Sequence, residues 1–141
     1  MWLVLGDGIS GRSAKSLLTS RGQSCVIYDD NDSHTETTLK EARQLIKNQD
    51  CRIVVSPGFS PNHELLSLAS EFKVKIETEI ELALAGFEGD LIIVTGTNGK
   101  STTVVMITHI LKEIGLNPTC AGNIGVSLSS FAEKGEIKSP L

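Results

Sequence analysis

The chain has 141 residues with 40% apolar and 21% charged side chains, which is ordinary composition for a globular protein. Its net charge of −4 argues against a nucleic-acid-binding surface, since phosphate backbones require clustered lysine and arginine. The sequence has no apolar run near the length of about 18 residues that a membrane helix needs, and no signal-peptide pattern, so we expect a cytoplasmic protein without a membrane span.

The first elements predict one half of a Rossmann-type unit. An apolar strand at Met1–Leu5 runs into Gly6–Gly11, which has G-x-G-x-x-G spacing and precedes an amphipathic helix. The second strand, Cys25–Tyr28, ends in Asp29 and Asp30. Glycines at this spacing let backbone amides approach a pyrophosphate, and an acidic residue at this offset bonds a ribose hydroxyl or a base edge. A tight strand–helix turn that binds nothing is the alternative explanation.

Strands and helices continue to alternate up to about residue 85. Thr38 and Thr78 are each followed three residues later by a glutamate, which is the capping-box spacing that starts a helix. The predicted elements are a helix from Thr38 through about Lys47, a strand at Arg52–Val55, a helix that starts at Pro61 with Ser60 as its cap and ends near Glu71, a strand at Lys73–Ile76, and a short helix from Thr78 to Ala85. Glu79 and Glu81 are assigned to capping rather than to an acid pair.

The turn Ser56-Pro57-Gly58 follows the third strand, at the edge where open parallel sheets bind ligands. Ser56 could donate to a phosphate or a ribose, although a turn before a helix also explains Pro57 and Gly58. The histidines and cysteines have no metal-binding or redox spacing. We therefore expect surface or helix-face positions for His34, His63 and His109. Cys25 and Cys51 lie beside or within apolar strands and are predicted as small core residues in a reducing compartment, and nothing near the three cysteines, which include Cys120, suggests a reactive thiol.

The stretch Asp90–Thr102 predicts a second phosphate site. Its apolar residues Leu91–Val94 predict a buried parallel strand, and a glycine turn then leads into a helix over Ser101–Ile114. The last three places of the P-loop pattern G-x-x-x-x-G-K-S/T are filled by Gly99, Lys100 and Ser101, and Val94 stands where the first glycine is expected. Backbone amides in such a loop form a nest for a nucleoside triphosphate, and Ser101 or Thr102 can offer a hydroxyl to Mg²⁺. A glycine turn with a solvated lysine is the alternative.

The remaining elements are short. Gly115 ends the P-loop helix, and we predict a strand at Thr119–Ala121, a turn at Gly122–Gly125, one or two helical turns within Val126–Phe131, and a final loop. The chain then divides near residue 88, into a Rossmann-like domain (1–88) and the incomplete start of a P-loop domain (89–141). The predicted fold class is α/β: a Rossmann-like parallel-sheet domain followed by the beginning of a P-loop ATPase α/β domain.

Five motifs in this order, GDGISG, SPG, TEIEL, VTGTNGKST and GNIG, resemble the Mur ligases over the whole chain. TGTNGKS is similar to that family's form of the P-loop, which accounts for Val94. The resemblance implies an ATP-dependent amide ligase of peptidoglycan precursor synthesis. Within the family it is most like the members that add D-glutamate to UDP-N-acetylmuramoyl-L-alanine through an acyl phosphate. It also implies small-molecule substrates, no nucleic-acid or membrane partner, and a monomer.

The resemblance further implies a role for each matching residue. ATP would be held by Gly96, Thr97, Asn98, Gly99, Lys100, Ser101 and Thr102, with Lys100 as the catalytic contact to the terminal phosphates and Ser101 as a Mg²⁺ ligand. The UDP-linked substrate would be held by Gly8, Ile9, Ser10, Asp29, Asp30, Ser56, Pro57, Gly58 and Asn123. Because family members are longer, we expect an N-terminal portion that is inactive alone. A non-catalytic nucleotide-binding module and an NAD-dependent oxidoreductase are the alternatives.

Overall fold

The computed structural model describes residues 1–31, 35–85, 87, 89–122 and 128–133. In these residues four strands and six helices follow one another along the chain. They are β1 (Trp2–Leu5), α1 (Ile9–Ser20), β2 (Cys25–Tyr28), α2 (Leu39–Lys47), β3 (Arg52–Val55), α3 (Glu64–Glu71), β4 (Ile76–Thr78), α4 (Glu79–Leu84), α5 (Lys100–Glu113) and α6 (Leu128–Glu133). The predicted α/β class, with a Rossmann-like parallel sheet, is confirmed.

The sheet has the order β2-β1-β3-β4, and all its strand pairs are parallel. Leu5, the last residue of β1, is paired with Tyr28 on one side and with Val55 on the other. The loops that follow the first three strands therefore leave the sheet at the same edge. The strand order reverses between β1 and β3, and ligands of open α/β sheets bind at that point.

Helices cover both faces of the sheet, because alternate residues of each strand point to opposite sides. Leu3, Leu5 and Ile53 pack against the buried residues of α2 and α3. On the other face, Val4 and Val54 pack against α1 and α4. This double cover fixes the register of the central strands, since a shift of one residue would exchange the two apolar sets.

Two predicted boundaries in the first half are wrong. Helix α3 begins at Glu64 rather than at Pro61, and its cap is His63, whose ring accepts a hydrogen bond from the Leu65 amide. Strand β4 begins at Ile76 rather than at Lys73. Lys73 has a positive φ of 55° and its amide donates to Ser70, so it closes α3 in a left-handed conformation and delays the strand.

The predicted strands of the second half are also wrong. Leu91, Ile92 and Ile93 are 42%, 57% and 72% exposed, and neither 91–94 nor 119–121 forms a strand. A parallel strand needs a hydrogen-bonded neighbour and cover on both faces, and the described part of the chain supplies neither to these segments. Helix α5 forms as predicted, but none of its residues is buried.

Helix α6 (Leu128–Glu133) overlaps the helical turns predicted within Val126–Phe131, of which residues 126–127 lie outside the described ranges. It packs against α1 and α4, and the buried carboxylate of Glu79 accepts a hydrogen bond of 2.7 Å from the Ser129 amide. Glu81 closes the capping box of α4 as predicted, while Glu79 caps α6 instead. The domain division near residue 88 stays a prediction. No helix in the described ranges is long and apolar enough to cross a membrane.

Candidate nucleotide-binding sites

The glycine loop after β1 is closed by contacts that only glycines allow. Gly6 has a φ of +101°, and its amide donates to Tyr28 at 2.8 Å. A Cβ on Gly11 would lie 1.8 Å from the Gly6 carbonyl oxygen. Helix α1 therefore touches the loop directly, and the G-x-G-x-x-G spacing describes a close approach of helix and strand.

Two helices differ from the others in how they begin. The side chains of Thr38, His63 and Thr78 accept amide hydrogen bonds at the starts of α2, α3 and α4. Helices α1 and α5 begin at Gly8 and Gly99, and neither has a side-chain cap. Both follow the glycine loops that the sequence marks as phosphate sites. Their first amides have no partner within the helix and, together with the helix dipole, suit an anion.

The structure brings both predicted aspartates to the edge of the sheet that carries the glycine loop. The Asp29 carboxylate accepts from the Asp7 amide at 2.8 Å and from the Asn31 amide at 2.9 Å, so it ties the end of β2 to the loop. Asp30 accepts from the Tyr28 hydroxyl at 2.5 Å and from His63 Nε2 at 3.0 Å. The Tyr28 hydrogen bond, and then His63, hold the pKa of Asp30 below its usual range.

Ser56 lies at the same edge but faces inward. Its buried hydroxyl donates to the Gly6 carbonyl at 3.3 Å, and its amide donates to Leu5 at 2.9 Å. It therefore fastens the turn after β3 to the glycine loop. Pro57 and Gly58 are exposed beside it. Asn123 lies outside the described residues.

Two ion pairs along α1 were not predicted from the sequence. Arg12 binds both carboxylate oxygens of Asp7, at 3.0 and 2.7 Å, and Lys15 pairs with Glu36. The Lys15 hydrogen bond holds the pKa of Glu36 below its usual range. These residues line an open pocket of about 550 Å³, which α1 shares with Ile27 of β2. Nothing in the spacing of the sequence marks Arg12 or Glu36, since their partners are distant or in a turn.

The loop before α5 has the backbone expected of a phosphate nest. Gly96 and Gly99 have φ values of +143° and +77°, and the loop is exposed. The Lys100 ammonium group donates to the carbonyl of Gly96, and to that of Thr97 at 3.3 Å, so it lies across the loop. Ser101 and Thr102 are exposed in the first turn of α5. The seven predicted residues of this site are contiguous, and all of them except the half-buried Lys100 are exposed.

The structure also bears on the predictions for the cysteines, for metal binding and for His63. Cys51 belongs to the core as expected, and burial raises the pKa of its thiol. Cys25 and Cys120 are half-buried. Within the described ranges no three His, Cys, Asp or Glu side chains are grouped to hold a metal ion. His63 departs from its predicted surface role, because its side chain is only 11% exposed and caps α3, where small polar residues are the usual caps.

Tyr28 is expected to lose its proton near pH 12 rather than at its ordinary value of 10.0. Burial, then the hydrogen bond to Asp30 and the charge of that carboxylate, raises the pKa of Tyr28 to about 12. Because the folded state holds this proton more tightly than the unfolded state, the stability it contributes is complete below pH 10.0 and is lost as the pH rises through about 12. Tyr28 is the only tyrosine, so ultraviolet phenolate absorbance reports on it alone. A midpoint near 10.0 in the folded chain would contradict the buried network, and Tyr28→Phe provides the blank.

The architecture and its two glycine loops define a Rossmann-like α/β protein with two candidate phosphate sites. No family model matches the chain. Curated proteins do match it, and three of them, each named UDP-N-acetylmuramoylalanine–D-glutamate ligase, are described here. The protein of Leptospira interrogans serogroup Icterohaemorrhagiae serovar Lai is 36% identical over 94% of the chain and 29% of its own length. That of Protochlamydia amoebophila is 37% identical over 90% and 32%. That of Rickettsia bellii is 46% identical over 94% and 31%.

Over 90% or more of its length the chain is therefore similar to D-glutamate-adding members of the Mur ligase family, as the motifs predicted. It spans about 30% of the length of the curated relatives that it matches, which agrees with an N-terminal portion.

Proposed function

We propose that this chain anchors a UDP-linked substrate at the glycine loop and ATP at the loop of residues 96–102, as part of an ATP-dependent ligase. The observation that supports this is the contrast in helix capping. Only the two helices preceded by phosphate-type loops, α1 and α5, lack a side-chain cap among those whose beginnings the structure describes. The names of the relatives specify the substrates, UDP-N-acetylmuramoylalanine and D-glutamate.

The UDP site lies where the loops after β1, β2 and β3 meet. Amides at the start of α1 suit the diphosphate, with Gly8 and Ser10 in the loop and first turn. Ile9 is 83% exposed there and offers an apolar surface to a nucleoside. Asp30 lies on the β2 side with its carboxylate exposed. Asp29 and Ser56 act by holding the three loops together, and Asn123 remains a proposed substrate contact.

The ATP site is the nest before α5, where Lys100 supplies a cation to the terminal phosphates. The exposed hydroxyl of Ser101 is a hard oxygen donor of the type that Mg²⁺ prefers, so this chain can contribute one ligand to that ion. Bound Mg²⁺ would neutralise phosphate charge during transfer.

The proposed reaction has two steps. The carboxylate of the UDP-linked substrate attacks the γ-phosphorus of ATP, which forms an acyl phosphate and releases ADP. The amine of D-glutamate then attacks the acyl carbon, phosphate leaves, and the amine loses a proton as the amide forms. Catalysis of such a transfer consists mostly of positioning and charge neutralisation, which the two loops supply. We expect that the chain alone does not complete this reaction. We also expect the protein to be monomeric and to lie in the cytoplasm.

Gly8→Asp is expected to weaken UDP binding at least about tenfold without loss of stability. Gly8 has a φ of −72°, and a Cβ there meets no atom within 4 Å, so the side chain fits. An aspartate at this position caps α1 and is worth a few tenths of a kcal/mol. The same carboxylate occupies the first amides and repels a diphosphate, and loss of one or two charge-assisted hydrogen bonds weakens binding by roughly ten- to a hundredfold.

The measurement is UDP binding by titration calorimetry, with urea unfolding of each variant and Gly8→Ala as the matched control. Unchanged UDP affinity in Gly8→Asp would exclude the start of α1 as the diphosphate site. If the chain bound NAD and not UDP, the oxidoreductase alternative would replace the ligase. Binding of UDP by a full-length form that never releases ADP with both substrates would leave only the non-catalytic module.

A further inference from the structure

Tyr28 and Asp30 at the end of β2 meet His63, the cap of α3, in one hydrogen-bonded network. Each carboxylate oxygen of Asp30 has its own donor: the Tyr28 hydroxyl at 2.5 Å on Oδ1 and His63 Nε2 at 3.0 Å on Oδ2. Phe59 packs against both rings, with centroid distances of 6.5 Å to Tyr28 and 4.7 Å to His63. The orientation of the two donors is therefore fixed by packing as well as by hydrogen bonds.

The other nitrogen of His63 determines its tautomer. Nδ1 accepts a hydrogen bond of 3.2 Å from the Leu65 amide at the start of α3, so it carries no proton. The neutral ring then has its proton on Nε2, which faces Asp30. His63 thus connects the beginning of α3 to the loop after β2.

Asp29 and Asp30 differ in exposure and in the kind of donor that holds them. The half-buried Asp29 accepts one hydrogen bond on each oxygen, from the backbone amides of Asp7 and Asn31. The Asp30 side chain is 48% exposed, and each of its oxygens has one donor and a second lone pair. A carboxylate repels phosphate but accepts from a sugar hydroxyl or a ring N–H, so its chemistry suits the nucleoside end of the substrate.

We propose that Tyr28 and His63 are positioning residues, which hold the Asp30 carboxylate so that its outward lone pairs accept a hydrogen bond from the nucleoside of a UDP-linked substrate. This inference rests on the proposed function, because it assumes that the edge of the sheet binds UDP. The low pKa of Asp30, caused first by Tyr28 and then by His63, agrees with an acceptor that is ionised at neutral pH.

The test is a double-mutant cycle on UDP affinity, measured by calorimetry with the whole 141-residue chain. His63→Ala and Asp30→Asn are each expected to weaken UDP binding about 3- to 10-fold, the range of one hydrogen bond. The double variant should bind no more weakly than Asp30→Asn alone, because His63 acts through Asp30. His63→Gln, whose amide can donate to Asp30, should restore affinity to within about twofold of the original.

His109→Ala is the matched control, since His109 is exposed on α5, and it should leave UDP affinity unchanged. If His63→Ala does not fold, Tyr28→Phe removes only a hydroxyl from the same carboxylate and is combined with Asp30→Asn in its place. Additive losses in either cycle would overturn the inference, as would unchanged affinity in the single variants. Absence of UDP binding by the original chain would instead overturn the proposed function, and this inference with it.

Discussion

Gly11→Ala is expected to destabilise the chain by at least about 3 kcal/mol, at the upper end of what overpacking costs. The new Cβ would lie 1.8 Å from the Gly6 carbonyl oxygen and 2.9 Å from the Ser56 hydroxyl. Neither neighbour can withdraw freely. Gly6 is bound through its amide to Tyr28, and Ser56 is buried and bound to β1. Relief therefore requires α1 to move away from the sheet, which opens the core contacts of Leu17 and Leu18.

Urea unfolding followed by circular dichroism measures this loss, and Gly8→Ala is the control within the same loop. Gly8 has open space around its Cβ position and an ordinary negative φ, so its substitution should change the unfolding free energy by less than about 0.5 kcal/mol. A loss below about 1 kcal/mol in Gly11→Ala would show that α1 can separate from the loop without cost. Because small domains have about 5–15 kcal/mol of stability in total, the expected loss is also visible as a lower expression yield.

The first half of the fold was predictable because its signals are local. The apolar runs of β1, β2 and β3, the capping boxes at Thr38 and Thr78, and the glycine spacing after β1 each determine structure within a few residues. The two wrong boundaries have local causes that composition hides. Lys73 closes α3 in a conformation usually reserved for glycine, and His63 replaces the usual small polar cap.

The strand predictions in the second half of the chain were wrong for a non-local reason. Leu91–Val94 has the composition of a buried strand, but strand formation depends on neighbours that the sequence pattern cannot supply. The same limit applies to the candidate site. The acidic residues after β2 were predicted as ligands together, and only three-dimensional contacts separate Asp29, engaged by amides, from Asp30, held by side chains and exposed.

The described contacts also revise the role of Ser56. Its position after β3 predicted a ligand contact, because loops at that edge usually reach a ligand. In the structure its hydroxyl is directed at the Gly6 carbonyl. Substituting Ser56 would therefore change UDP affinity through the position of the glycine loop. Effects at Ser56 and at Asp29 should accompany a change in stability, whereas those at Gly8 should not.

Lys100→Met is expected to weaken ATP binding roughly ten- to a hundredfold, which is the range for one or two lost charge-assisted hydrogen bonds. UDP binding is expected to be unchanged. In the structure the ammonium group donates to the carbonyls of Gly96 and Thr97, which are its acceptors when no phosphate is bound. A bound triphosphate offers it stronger acceptors, and the lysine must exchange these carbonyls for phosphate oxygens. Methionine keeps the length and apolar stem of the side chain but provides no cation.

Lys112→Met, in the last turn of the same helix, removes one charge far from the loop and is the matched control. The affinity for labelled ATP is measured in the presence of Mg²⁺, on a protein of the same length as the curated relatives. UDP affinity is titrated in parallel. Equal weakening in the two lysine variants would mean that Lys100 acts only through net charge, and a matching loss of UDP binding would show that the two loops form one site rather than two.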